Sequence, residues 1–248
     1  MRRLLLVILC LLPFMPAGAQ YSGSFKATGL IAPAVLAGAG LGIHYLGHDA
    51  VEIPVRNWVQ QDFRKGAPHH DIGSWVQYAP TAMHLTLGLA GAQSRHSFAD
   101  RAVESGIAHL SALALSRIPK LIFHSLRPDG GDYKSFPSGH SILAFTGAEL
   151  VRADYGAGWA AGAYAAAVFV GADRIYADRH WLGDILAGAG LGILSARIGV
   201  WLLEPVKDLF NIPDTSWDGL GGGRVQVTIV PLADPFAHTY AASIGLVF

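Results

Sequence analysis

The stretch ATGLIAPAVLAGAGLGIHYLGH, residues 27–48, runs from Lys26 to Asp49 without an Asp, Glu, Lys or Arg. A second such stretch, IGSWVQYAPTAMHLTLGLAGAQS at 72–94, lies between Asp71 and Arg95. As helices rising about 1.5 Å per residue, both are long enough to cross ~30 Å of hydrocarbon. A third, 155–172, is just long enough. Three more helical segments are expected at 102–125, 141–151 and 181–203, and they carry Arg117 and Lys120, Glu149, and Asp184 and Arg197. Charges inside a span are costly and face a cavity or a partner. Small residues such as Ala37-Gly38-Ala39-Gly40 and Ala187-Gly188-Ala189-Gly190 permit close helix contact in lipid. The expected fold is therefore all-α, a membrane-embedded six-helix bundle, with a soluble helical bundle as the alternative.

Composition points the same way. Charged residues make up 15% of the chain, against about 25% in soluble proteins, and apolar residues 52%. The formal net charge is zero and there is no basic run, which argues against a nucleic-acid partner. Met1-Arg-Arg, the apolar run Leu4 to Phe14 and Ala17-Gly18-Ala19 form the three parts of a secretory signal peptide, expected over 1–19. Its apolar core is too short for a span. The lone Cys10 falls within it, so no disulfide is expected in the remaining chain. A helical domain is expected over 20–205. Residues 206–248 read as a linker and a strand-rich tail: 211–223 is rich in Asp, Pro and Gly, and 224–230 and 238–248 alternate with period two around a turn at 231–236.

Three clusters carry chemistry. Lys120 and Arg127 are seven residues apart, about two helical turns, so on a helix ending at Pro128 both point at one anion. Pro137-Ser138-Gly139-His140 opens a helix whose unpaired N–H groups, with the Ser138 hydroxyl and the close approach allowed at Gly139, suit an oxyanion. Arg174, His180 and Asp184 form the third. At helical i, i+4 spacing Asp184 accepts from one ring nitrogen of His180 and leaves the other free as a nucleophile. Three cations, a helix start and two histidines are the parts phosphoryl transfer needs, and they require no metal or other cofactor. His44, His48, His69, His70 and His84 show no metal-ligand spacing and read as loop or helix-end histidines.

The order Lys120 to Pro128, Pro137 to His140 and Arg174 to Asp184, with Ser135-Phe136 before the proline and Trp181 after the histidine, resembles the three-part signature of the phosphatidic acid phosphatase type 2 and vanadium haloperoxidase superfamily. The motifs match over 120–184, and the surrounding helices extend the similarity to about 27–204. The resemblance implies a ping-pong phosphatase. His180 is then the nucleophile, Asp184 its orienting acid and His140 the proton donor, while Lys120, Arg127, Ser138, Gly139 and Arg174 bind phosphate. One departure is plain: the family usually has Ser before the third-motif arginine, and this chain has Asp173. Facing a phosphate at 4 Å, that carboxylate would cost about 4 kcal/mol per unit charge at an effective dielectric of ~20.

The substrates implied are phosphorylated envelope lipids: lipid A, undecaprenyl pyrophosphate, phosphatidylglycerophosphate or phosphatidic acid. The expected location is the inner membrane with a periplasm-facing site. A soluble periplasmic acid phosphatase is the alternative; a haloperoxidase holding vanadate and an inactive phosphate-binding relative are the remaining readings. Spans at 27–48, 72–94 and 102–125 after a cleaved signal would put Lys120 to His140 on the cytoplasmic side. Either one of these segments is therefore expected to lie at the interface, the first being the candidate with its five glycines and Pro33, or the bundle is not fully inserted.

Overall fold

The computed structural model describes residues 25–213, 226–234 and 239–247; the expected signal peptide and Cys10 lie outside them. Charge-free residues form α1 (Ile31–Leu46). The chain then continues through two π-type turns and a short α2 (Ile53–Asn57), a helical stretch over 48–64 that the hydropathy pattern does not announce. The expected helix at 72–94 is broken into α3 (Gly73–Val76) and α4 (Ala79–Thr86). Pro80 suits a helix start rather than an interior, and Gly91 turns the chain at φ 90°. Together these fourteen residues span about 21 Å, short of a bilayer core. Of the first three segments the irregular one is thus the second, not the first.

Next, α5 (Phe98–Ile122) is capped by the Ser97 hydroxyl, which accepts from Asp100 N. Helix α6 (Gly139–Tyr176) has two arms that meet at Gly156, whose φ of 81° is a left-handed conformation that glycine adopts freely. These arms are the expected helices at 141–151 and 155–172, each longer than anticipated. Helix α7 (Leu182–Phe210) continues through Pro205, beyond the boundary expected at 205, and stops at Asn211 with φ 50°. Its last turn is held by Lys207 Nζ on Asp100 Oδ1 at 2.8 Å.

The strands β1 (Gln226–Asp234) and β2 (Thr239–Val247) pair antiparallel, from Gln226 opposite Val247 to Asp234 opposite Thr239. Thus β1 passes through Pro231, where a turn is expected from the sequence. A two-stranded sheet has only edge strands, which tolerate proline.

The core is built from small side chains. Leu36 of α1, Ala144, Phe145 and Ala148 of the first α6 arm, Ala163 and Ala167 of the second, and Ala189 and Ile193 of α7 form one buried cluster. Charges within the helices face partners: buried Glu149 accepts from Arg152 Nε at 2.8 Å and from Arg197 Nε at 3.1 Å. Large apolar residues point outward, among them Ile31, Val35, Leu110, Leu113, Trp159 and Phe169. Residues Ala27–Leu46 and Leu182–Phe210 are long and apolar enough to cross a membrane by length and composition.

Candidate active site

The turn that carries His180 is clamped by the unannounced 48–64 stretch. Asp178 takes φ 62°, and Arg56 donates to both its oxygens at 2.6 Å. Gln60 Nε2 donates to Ile175 O at 2.9 Å, and Glu52 Oε1 accepts from Gly183 N at 2.9 Å. Helix α7 starts only at Leu182, so His180 and Asp184 do not share a helical face as their spacing predicts. Their pairing comes from the helix start instead. Asp184 folds back to accept from Trp181 N at 2.9 Å, takes the Ser135 hydroxyl on the same oxygen, and lies 3.4 Å from His180 Nδ1. This arrangement engages Nδ1 of His180 and leaves Nε2 outside the contact with Asp184. The ring is buried, and burial lowers its pKa below 6.5 against the opposing pull of Asp184. Arg127 and Lys120 push the same way as burial, so the ring is held neutral.

The second cluster behaves as a helix start. Ser138 is the N-cap of α6, its oxygen accepting from Ser141 N at 3.4 Å, and its own N–H donates to Asp184 O at 3.0 Å. Gly139 is the first helical residue. His140 Nε2 lies 3.0 Å from Ser74 Oγ and 3.3 Å from Arg174 Nη1. Burial, then Arg174 and then His180 push the His140 pKa down to about 4. The two histidines therefore sense each other across one space.

The cations converge on it by different routes. Helix α5 ends at Ile122, so Lys120 and Arg127 do not lie on one helix as predicted. Residues beyond it pair as an extended loop, Ser135 N to Ser125 O and Arg127 N to Asp132 O, both 3.0 Å. Lys120 Nζ donates to Lys134 O and Pro137 O at 2.6 Å and so holds the loop that ends in Ser138. Arg127 Nε donates to Asp132 at 2.8 Å, and its Nη1 reaches Arg179 O at 3.2 Å. Arg174 is buried and its Nη2 donates to both Asp71 and Asp173. Asp173 also meets His69 Nε2 at 3.0 Å. His69, Asp71 and Asp173 lie close enough to hold a metal ion, but the Arg174 guanidinium already supplies the positive charge among these carboxylates. The hydrogen bond from Arg174 holds the Asp71 pKa down at about 2.

Ser135, part of the second motif, bonds Asp184. Other residues escape a reading by motif: Ser74 bonds His140. His44 lies 3.5 Å from the second Asp184 oxygen and 3.3 Å from Glu52, while its other nitrogen lies 2.8 Å from Ser125 Oγ. His44, His48 and Glu52 recur every four residues, a helical-face spacing that was the available signal.

A model of the PAP2 superfamily matches residues 104–207, which include every residue of the three clusters. Over these residues the chain is similar to the PAP2 superfamily. Lipid A 1-phosphatase of Porphyromonas gingivalis is 33% identical over 143 residues, 56% of this chain. The aligned part spans about a third of that relative's length, 32%. Two solved structures also align. The crystal structure of Aquifex aeolicus LpxE has a TM-score of 0.44 at 23% identity, covering 60% of this chain and 94% of that one. A transmembrane PAP2 type phosphatidylglycerolphosphate phosphatase from Bacillus subtilis has a TM-score of 0.46 at 19% identity, covering 75% and 96%. The departure at Asp173 is a concrete contact in the structure: its carboxylate forms an ion pair with Arg174 beside it.

Proposed function

We propose that this chain is a phosphatase that hydrolyses a phosphate monoester or pyrophosphate of an envelope lipid through a phosphohistidine. The observation that carries the reading is His180, with one nitrogen turned onto Asp184 and its charge balance set by Lys120 and Arg127. In the first step the Nε2 lone pair attacks phosphorus and the P–O bond to the leaving group breaks. His140, its pKa held at about 4 by burial, Arg174 and His180, takes up a proton when the phosphate anion binds beside it and Arg174, and gives that proton to the leaving oxygen. In the second step His140 takes a proton from water, whose oxygen attacks phosphorus; the P–N bond breaks and inorganic phosphate leaves. Lys120, Arg127, Arg174 and the start of α6 stabilise the charge on the other phosphoryl oxygens. Outward apolar residues on α1, α5 and α6 favour a lipid setting over a soluble phosphatase.

The test uses the full chain in detergent with lipid A, undecaprenyl pyrophosphate, phosphatidylglycerophosphate and phosphatidic acid, each labelled in the phosphate. Release of phosphate from one of them, with protein-bound label that survives alkali and is lost in acid, is expected. Phosphate binding without release from any of them would replace the reading with that of a binding protein. Vanadate-dependent halide oxidation would replace it with a haloperoxidase.

Two further results follow from the geometry. His180 must be neutral to attack, so kcat/KM falls as pH drops through its pKa, and burial places that acid limb below pH 6.5. A limb at or above pH 6.5 would contradict it. Asp173→Ser removes a carboxylate from Arg174 and frees the guanidinium for phosphate. KM should fall about tenfold, equivalent to ~1.4 kcal/mol; an unchanged or higher KM would show that Asp173 positions Arg174 productively.

Which end of the bundle holds the site decides which chain segments share its side of the membrane. Ser125 meets His44, Ser138 meets Asp184 and His140 meets Arg174, so the ends of α1, α5, α6 and α7 nearest these residues converge. Ala27 and Phe210 begin α1's segment and end α7, at the other end. We place the site on the periplasmic face of the inner membrane, which puts Ala27 on the cytoplasmic face and requires that residues 1–19 are not exported and cleaved as the signal peptide expected from the sequence. Ser135 is buried and unsuited to labelling, whereas Tyr133 is exposed. Tyr133→Cys in a Cys10→Ser background should react with an impermeant maleimide in intact spheroplasts; reaction only after permeabilisation would invert the orientation.

A further inference from the structure

At the end of the bundle remote from His180, four polar side chains from four parts of the chain meet in the interior: His84 of α4, His96 before α5, Glu104 of α5 and Asp154 of α6. His84 and Glu104 are fully buried and Asp154 nearly so. His84 Nε2 lies 2.6 Å from one Asp154 oxygen, and His96 Nδ1 lies 2.8 Å from the other. Glu104 is the anomaly. Neither of its oxygens has a hydrogen bond, and Oε2 reaches His96 Nδ1 only at 3.4 Å. The ligand atoms of His84, Glu104 and Asp154 all lie within 4.8 Å of one another. Sixteen residues of α5 separate Glu104 from Lys120, about 24 Å, and fourteen residues of α6 separate Asp154 from His140, about 21 Å. None of these groups takes part in the proposed phosphatase chemistry.

A carboxylate is not buried without a partner unless something compensates it. Arg101, three residues earlier on α5, forms no ion pair with Glu104, although its own Nε and Nη2 are also buried without a hydrogen bond. Its Nη1 donates to Ser94 Oγ and, at 2.7 Å, to His96 O, and its guanidinium stacks over Tyr155 at 5.6 Å. Arg101 thus holds the backbone of His96 and leaves the Glu104 oxygens open. Two imidazoles and two carboxylates are the donor set of a borderline-soft divalent ion, and zinc takes them tetrahedrally. Donors about 2.1 Å from such an ion stand about 3.4 Å apart. His84, Glu104 and Asp154 form the close group, and the 2.6 Å contact of His84 to Asp154 needs to open by less than 1 Å; His96, 3.4 Å from Glu104 but outside that group, has to move in to become the fourth donor.

We propose that His84, His96, Glu104 and Asp154 bind one zinc-like divalent cation that ties α4, the segment before α5, α5 and α6 together at this end. The site is independent of the phosphatase reading. It would act as a cross-link where the chain has no disulfide to use, with Cys10 its only cysteine. The ion would also satisfy the Glu104 carboxylate that the protein alone leaves without a hydrogen bond.

The experiment takes the full chain in detergent, strips it with a chelator, reloads it with zinc and measures bound metal by mass spectrometry and Tm by circular dichroism. About one zinc per chain, with a Tm rise on loading, is expected. Glu104→Gln and His84→Ala should each cut uptake at least tenfold. His96→Gln, at the partly exposed edge of the cluster, serves where those variants do not fold and should show the same loss. His69→Ala, in the other histidine and carboxylate group, should leave uptake unchanged. The proposal is overturned if stripped protein binds no zinc, if zinc uptake survives Glu104→Gln and His96→Gln, or if His69→Ala abolishes it.

Discussion

His180→Ala is expected to lower turnover by about 10⁴-fold or more while the far-ultraviolet circular dichroism stays unchanged. The size follows from what is lost and what remains. The variant removes the nitrogen that forms the covalent bond, leaving water to attack directly with only the cations to stabilise charge. The fold should survive, because Asp184 keeps the Ser135 hydroxyl and Trp181 N when the contact to His180 goes. His140→Ala provides the contrast. As proton donor, His140 contributes about 10²–10⁴-fold, and its loss should matter less for a leaving group that needs no proton, such as p-nitrophenolate. A His180 variant with near wild-type turnover, or two variants with the same dependence on leaving group, would sink the division of labour. The readouts are kcat on purified protein and the ratio of kcat between phenyl and p-nitrophenyl phosphates.

The contrast also shows what could be read from residue types. His180, Asp184, His140 and the three cations could be proposed from the sequence because phosphoryl chemistry restricts which side chains can supply each part, and their order is carried by short motifs. How they are held was less legible. The i, i+4 spacing of His180 and Asp184 suggests a shared helical face, yet the pairing arises because Asp184 caps the turn before α7. Likewise Lys120 and Arg127 reach the site although α5 stops between them. Contacts such as Glu52 to Gly183 join residues 131 positions apart, and nothing local announces them. The helices themselves followed hydropathy well, except where Pro80 and Gly91 break the second one. The 48–64 stretch was invisible because its charges, including Glu52 and Arg56, read as loop; in the fold they serve the turn that carries His180.

Gly40→Leu should therefore damage the site from a distance, and Gly38→Leu should not. At Gly40 an added Cβ would collide with Ala187 N and come within 2.5 Å of Gly183 O, both backbone atoms that cannot rotate aside. On the same interface a Cβ at Gly190 would lie 2.6 Å from Ala37 N and Pro33 O, so α1 and α7 interlock at two levels. Overfilling such a contact costs ~1–3 kcal/mol or more, which corresponds to a Tm lower by about 5 °C. The larger effect should be on chemistry, since Gly183 precedes Asp184 and a shift of about 1 Å there can cost ~10²-fold in rate. Gly38 has nothing within 4 Å of an added Cβ, and a leucine there adds only an outward apolar side chain. Thermal melts and kcat for the pair check the argument. Equal behaviour of the two variants would mean that α1 does not set the position of α7, and that Asp184 is held by the Ser135 and Trp181 contacts alone.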